Sequence, residues 1–196
     1  MSASRSRGSR PAPPGVPSPA EAPGDIAAMI RVDHAGEFGA LRIYAGQLAV
    51  LARNGETNQN VAAIRHMAGQ ERRHFETFDR MVRDRAVRPT ALEPLWHVAG
   101  YALGAATALL GEKAAMACTV AVEDVIDAHY AEQLEKLSGQ KAEATLRKTV
   151  EEFRNDEKEH RDAALAHGAE DALGYPLLSA AIRAGCRVAI RLSTRI

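Results

Sequence analysis

Apolar and polar positions along this chain nowhere settle into the two-residue alternation of a half-buried strand. They fall instead into long proline-free stretches with helix punctuation. A first helix is expected from about Asp25, an N-cap, to about Arg53, ended by Asn54-Gly55-Glu56-Thr57-Asn58. A second runs from about Asn58 to Asp84. A loop with Pro89 and Pro94 follows, then one long third helix from about Leu95 to Leu137, stopped by Ser138-Gly139. A fourth covers about Gln140 to His167, with Gly168 just past its end. The last, about 176–195, follows Gly174-Tyr175, with Pro176 suited to a first helical turn. In it Arg183, Arg187, Arg191 and Arg195 recur every four residues, while Leu178, Ile182, Val188, Ala189, Leu192 and Ile196 fall on the opposite arc and Ile190 is off-pattern. This is a basic amphipathic helix, suited to an anionic membrane surface; its plainer reading is a helix capping the others with a solvated arginine face. The uncharged run from Pro94 to Gly111 is too short and too rich in Ala and Gly for a span, so a buried or interfacial helix is expected.

Composition agrees with an all-α chain. Aromatics are 5% of the 196 residues, and six of nine prolines lie at or before Pro23. Residues 1–23, rich in Ser, Arg and Pro without an apolar run, read as a disordered tail, leaving 24–196 as one domain. Cys118 and Cys186 show no pairing pattern and read as reduced thiols. The 25 basic and 25 acidic residues cancel, which argues against nucleic acid as a partner, but they are unevenly placed. The tail carries a net +2, residues 172–196 a net +4, and the middle a net −6.

The acidic middle contains a repeat. A shift of 86 residues superposes Glu37 on Glu123, Tyr44 on Tyr130, Ala45 on Ala131, Gln47 on Gln133, Leu48 on Leu134, Glu71 on Glu157 and His74 on His160. Each half thus reads as a lone Glu followed 34 residues later by Glu-x-x-His. Residues i and i+3 share a helix face. The first helix rises roughly 24 Å beyond Glu37, and the second returns roughly 20 Å before Glu71. Two such hairpins, about 25–84 and 95–168, make a four-helix bundle with four carboxylates and two imidazoles at one level. Buried carboxylates need a partner or a metal. One Glu from each of two helices plus Glu-x-x-His from each of the other two is the ligand set of ferritin-like di-iron and di-manganese proteins. Oxygen and imidazole donors without thiolate suit iron or manganese. The expected metal ligands are therefore Glu37, Glu71, His74, Glu123, Glu157 and His160. His34, three residues before Glu37, and His129 and Tyr130, six and seven after Glu123, are candidates to support the ligands or carry redox chemistry; Tyr44 and Tyr130 suit the core equally well. His66, His97 and His167 read as surface or satisfied residues.

The strings Arg31-Val32-Asp33-His34-Ala35-Gly36-Glu37-Phe38-Gly39-Ala40, Ile43-Tyr44-Ala45-Gly46-Gln47, Glu71-Arg72-Arg73-His74, Val122-Glu123 with His129-Tyr130, and Asp156-Glu157-Lys158-Glu159-His160 resemble the demethoxyubiquinone hydroxylase family of ubiquinone biosynthesis. The resemblance covers about 26–196, with no departure at the six ligand positions. It implies a monooxygenase with two iron ions that hydroxylates the ring of a polyprenylated demethoxyubiquinol or demethoxyubiquinone with O₂, the penultimate step of the pathway. Glu37 and Glu123 would be terminal ligands, Glu71 and Glu157 bridges, and His74 and His160 one ligand to each iron. It also implies NADH as electron donor, although the chain has no Gly-rich nucleotide motif of its own. Other ubiquinone-biosynthesis proteins are then expected partners, a homo-oligomer stays open, and the chain is expected peripherally on the cytoplasmic face of a bacterial inner membrane, or alternatively on the matrix face of the mitochondrial inner membrane. The competing readings are another ferritin-like di-iron oxidase or peroxidase, and a non-catalytic iron- and lipid-binding bundle.

Overall fold

The fold is described from a computed structural model. It describes residues 24–54 and 58–196; the expected tail over 1–23 and residues 55–57 of the first loop lie outside them. Among the described residues there are no strands. Six α-helices follow one another: α1 (Gly24–Leu51), α2 (Gln59–Asp84), α3 (Glu93–Leu109), α4 (Glu112–Lys136), α5 (Ala144–Ala166) and α6 (Tyr175–Arg195). α1 packs on α2 and α4 on α5, with α2 against α5 and α1 against α4, giving an all-α, ferritin-like bundle. α2 begins where Asn58, as N-cap, accepts the Asn60 N–H at 2.8 Å.

The expected long third helix is two helices. α3 ends at Leu109, and the chain turns through Leu110 and Gly111, whose φ of 118° is open to glycine and strained for other residues. The turn frees α3 from the bundle, so it packs outside along α1 rather than leading straight into α4. That contact is close because it lacks side chains: a Cβ on Gly104 would lie 1.9 Å from the Ile43 carbonyl oxygen, and one on Gly46 2.2 Å from that of Tyr101.

α6 lies across the other flank, against α4 and α1. Its C-terminal end is tied down by three contacts. Trp96 Nε1 donates to Ser193 Oγ at 2.9 Å, Arg31 Nη1 to the Thr194 carbonyl at 3.2 Å and Ala91 N–H to the Ile196 carbonyl at 3.2 Å; Arg31 Nε also holds the Arg88 carbonyl at 2.7 Å. The helix presents three faces. Ser179, Ile182 and Ser193 are buried; Leu177, Val188, Leu192 and Ile196 are exposed. Ile190, off-pattern in the sequence, faces inward with Ala189 and Cys186. Of the arginine stripe, Arg183 is turned to the protein, where it pairs with Asp124. No helix among the described residues is long and apolar enough to cross a membrane.

Candidate metal centre and adjoining cavity

The six expected ligands come together in the middle of the bundle, and each is at most 1% exposed. α1 brings Glu37, α2 Glu71 and His74, α4 Glu123, and α5 Glu157 and His160. Their donor atoms form two groups, each within 4.8 Å: Glu37, Glu71, His74 and Glu157, and Glu71, Glu123, Glu157 and His160. Glu71 and Glu157 belong to both. Both histidines turn Nδ1 inward, His74 to 3.2 Å from Glu157 Oε1 and His160 to 3.1 Å from Glu71 Oε1.

Burial, followed by repulsion from Glu157, pushes Glu71 and Glu123 well above the ordinary carboxylate range, and burial likewise raises Glu157. For Glu37 burial is outweighed by hydrogen bonding and charge from His74, and its carboxyl lies below that range. Burial would lower His74, but Glu157 and Glu37 overcome it and hold the imidazolium up to about 11. His160 is lowered by burial. The protein alone therefore neutralises the cluster incompletely and with protons. Glu37 Oε2, both Glu71 oxygens, His74 Nδ1, Glu123 Oε2 and Glu157 Oε1 are buried without a hydrogen-bond partner. Orphaned, converging oxygen and nitrogen donors fit two metal ions, and the absence of thiolate is compatible with iron.

The two tyrosines bind the carboxylates crosswise. Tyr44 of α1 donates to Glu123 Oε1 of α4 at 2.8 Å, and Tyr130 of α4 donates to Glu37 of α1. This crossing requires the two helices to run antiparallel. His129 stands away from the cluster, with Nε2 3.4 Å from the buried Asp33 and 2.9 Å from Gln133 Nε2. His34 also points elsewhere, to Asp79 at 3.5 Å and the Phe75 ring at 4.9 Å. Of the remaining histidines, His66 and His97 are exposed and His167 meets Asn60.

Two features escaped the sequence reading. His74 Nε2 lies 2.9 Å from Asp156 Oδ2, and His160 Nε2 lies 3.1 Å from Gln70 Oε1. Positions 70 and 156 are also 86 apart, so the repeat contained this signal. The second feature is an apolar cavity of about 570 Å³ between α3 and α6, floored by α1 and α4. Its lining includes Ala40, Ile43, Leu103, Val122, Ile182 and Ile190. Exposed Ala99, Ala181 and Gly185 also line it, so it opens outward between the two helices. Ala40, Ile43 and Val122 also border a small space lined by Tyr44, Thr119 and Glu123. Ala40, Ile43 and Val122 thus form a wall common to the cavity and to the space beside Glu123.

Fold and site together define a ferritin-like carboxylate–histidine bundle with an apolar chamber beside its polar centre. Residues 24–193 match the sequence model of the family described as "Ubiquinone biosynthesis protein COQ7", and the chain belongs to that family. It is 55% identical over 183 residues to a 3-demethoxyubiquinol 3-hydroxylase of Rhodospirillum rubrum, covering 93% of this chain and 82% of that one. It is 50% identical over 170 residues to the human mitochondrial NADPH-dependent 3-demethoxyubiquinone 3-hydroxylase, covering 86% and 76%. The Saccharomyces cerevisiae mitochondrial 5-demethoxyubiquinone hydroxylase is 42% identical over 181 residues, covering 86% and 77%.

Proposed function

We propose that this chain is an O₂-dependent di-iron monooxygenase that hydroxylates the ring of a polyprenylated demethoxyubiquinol or demethoxyubiquinone. The observation that carries the reading is the wall of Ala40, Ile43 and Val122, which has an apolar cavity open to the outside on one side and the space beside Glu123 of the buried cluster on the other. A prenylated ring is apolar, and the reacting ring must come within a few ångströms of the metals.

In this reading Glu37, Glu71, His74 and Glu157 would hold one iron and Glu71, Glu123, Glu157 and His160 the other, Glu71 and Glu157 being common to both groups. When bound, the irons supply the O₂ chemistry and electron storage that amino-acid side chains lack. The chain's own residues do the rest. Tyr44 and Tyr130 hold the terminal carboxylates in place as hydrogen-bond donors. Burial keeps both phenols well above their ordinary range, so they stay protonated donors at neutral pH. The cavity walls orient the ring, keep water from it and let the prenyl chain leave between α3 and α6. Leu95, Val98 and Leu109 on α3, and Leu177, Val188 and Leu192 on α6, the two helices that wall the cavity, are exposed and suit contact with a bilayer surface.

The animal relatives are named NADPH-dependent; for this chain we take a reduced nicotinamide nucleotide as the electron source. The test is conversion of a demethoxyquinone by purified, iron-loaded protein with O₂ and either NADH or NADPH. Hydroxylated product that requires both iron and O₂ supports the reading. No product from protein with full iron occupancy overturns it.

A further inference from the structure

Around the cluster the two halves of the repeat match closely. Each half contributes one lone Glu, one shared Glu and one His, and each lone Glu accepts from the other half's tyrosine. The match breaks one layer further out. Residues 70 and 156, equivalent in the repeat and each just before a shared Glu, reach across to the other half's histidine. One is an amide, the other a carboxylate. We propose that Gln70 and Asp156 are positioning residues for His160 and His74, and that this difference in charge makes the two metal sites unequal, the site of His74 holding its ion more tightly.

The inference rests on the two-metal reading and on hydrogen-bond chemistry. With Nδ1 turned to the cluster, each imidazole has an Nε2–H to donate outward. Donation to a carboxylate leaves more electron density on Nδ1 than donation to an amide carbonyl, and makes it the stronger ligand. A charge-assisted hydrogen bond is also about twice as strong as a neutral one, so His74 is held more firmly. Asp156 is 16% exposed, and its Oδ2 meets both Arg73 and the His74 ring nitrogen. His74 further stacks on Phe153 with ring centroids 3.9 Å apart. Gln70 has no charge to offer.

Outer partners of metal-bound histidines are typically worth about 10- to 100-fold in affinity. The test is challenge of the iron-loaded full chain with a ferrous chelator, following iron per chain against time. Mössbauer spectra of the reduced protein, loaded with enriched isotope, are recorded alongside. Two irons per chain at the start test the two-metal reading itself; a chain that takes up none removes that reading and this inference with it. The wild type is expected to release iron in two phases about tenfold or more apart, with two distinct doublets. Asp156→Asn speeds the slow phase towards the fast one, and Gln70→Glu slows the fast phase towards the slow one; in either variant the doublets converge. Gln70→Glu decides the matter even if Asp156→Asn folds poorly, because a merely structural change would not tighten iron binding. Two irons leaving in one phase with one doublet in the wild type, or phases that Gln70→Glu leaves unmoved, overturn the inference.

Discussion

The Tyr44 hydroxyl on α1 donates to Glu123 on α4, so each half of the repeat secures a carboxylate that the other half contributes. Removing the donor leaves a buried carboxylate oxygen unpaired, because nothing else among the described residues reaches Glu123 Oε1. Tyr44→Phe is therefore expected to cost the metal-free protein about 1–3 kcal/mol in urea unfolding. Metal-loaded protein should lose less, since a metal ligand is already satisfied. Equal losses in the two forms would show that metal does not compensate Glu123 for the lost donor.

The pH dependence of stability should reverse when metal binds. Glu71, Glu123 and Glu157 are raised from the ordinary 4.5, first by burial, and His74 is raised to about 11. These groups bind more protons folded than unfolded, so metal-free stability falls as pH rises above the ordinary carboxylate value. Glu37, lowered, and His34 and His160, both lowered by burial, work in the opposite direction and are outnumbered. Metal ions displace the protons, and their stabilisation grows with pH. Calorimetry between about pH 5.5 and about pH 8.5 is expected to show a falling Tm without metal and a widening gap with it. A metal-free Tm that climbs with pH would contradict this assignment of charges.

The cavity can be closed without touching the cluster. Ala181 lines it from the exposed side of α6, where a larger side chain has room to fold. Ala181→Trp is expected to raise KM for a prenylated quinone about tenfold or more, while iron content and Tm stay at wild-type values. Unchanged KM would mean that substrate reaches the site by another route.

The proposed bilayer contact would fall on the exposed Leu177, Val188 and Leu192 of α6 rather than on its arginines alone, since Arg183 is engaged with Asp124. The triple change Leu177→Ser, Val188→Ser and Leu192→Ser removes apolar surface worth about 1.5–3 kcal/mol for each side chain that would be buried in lipid. Flotation with vesicles containing anionic lipid should fall at least about tenfold, with the cavity wall intact. Undiminished flotation would move the contact elsewhere. Deleting α6 is the poorer experiment because it also removes one side of the cavity.

The cluster was readable in the sequence because its six members obey local helical spacing and a single shift, both properties of the chain alone. The break at Leu110–Gly111 was also written there, in a glycine followed by an acidic first turn at Glu112, but Ala-rich sequence on both sides masks it. The cavity left no local trace. It is a gap between two helices far apart in sequence, walled mostly by small and aliphatic residues that share no local spacing. Asp156 and Gln70 look like ordinary helix-surface residues until the fold places an imidazole beside each.

The escape of α3 from the bundle at Gly111 separates two kinds of freedom. Four helices carry every proposed metal ligand and are joined by crossed tyrosine–carboxylate hydrogen bonds, so changes there disturb the cluster directly. The chamber's outer walls belong to α3 and α6, which contribute no ligand. Their inward side chains can be exchanged, lengthening or narrowing the space for a different tail or ring, while the metal-holding atoms stay where they are. One architecture can thus be retuned to new substrates from its periphery.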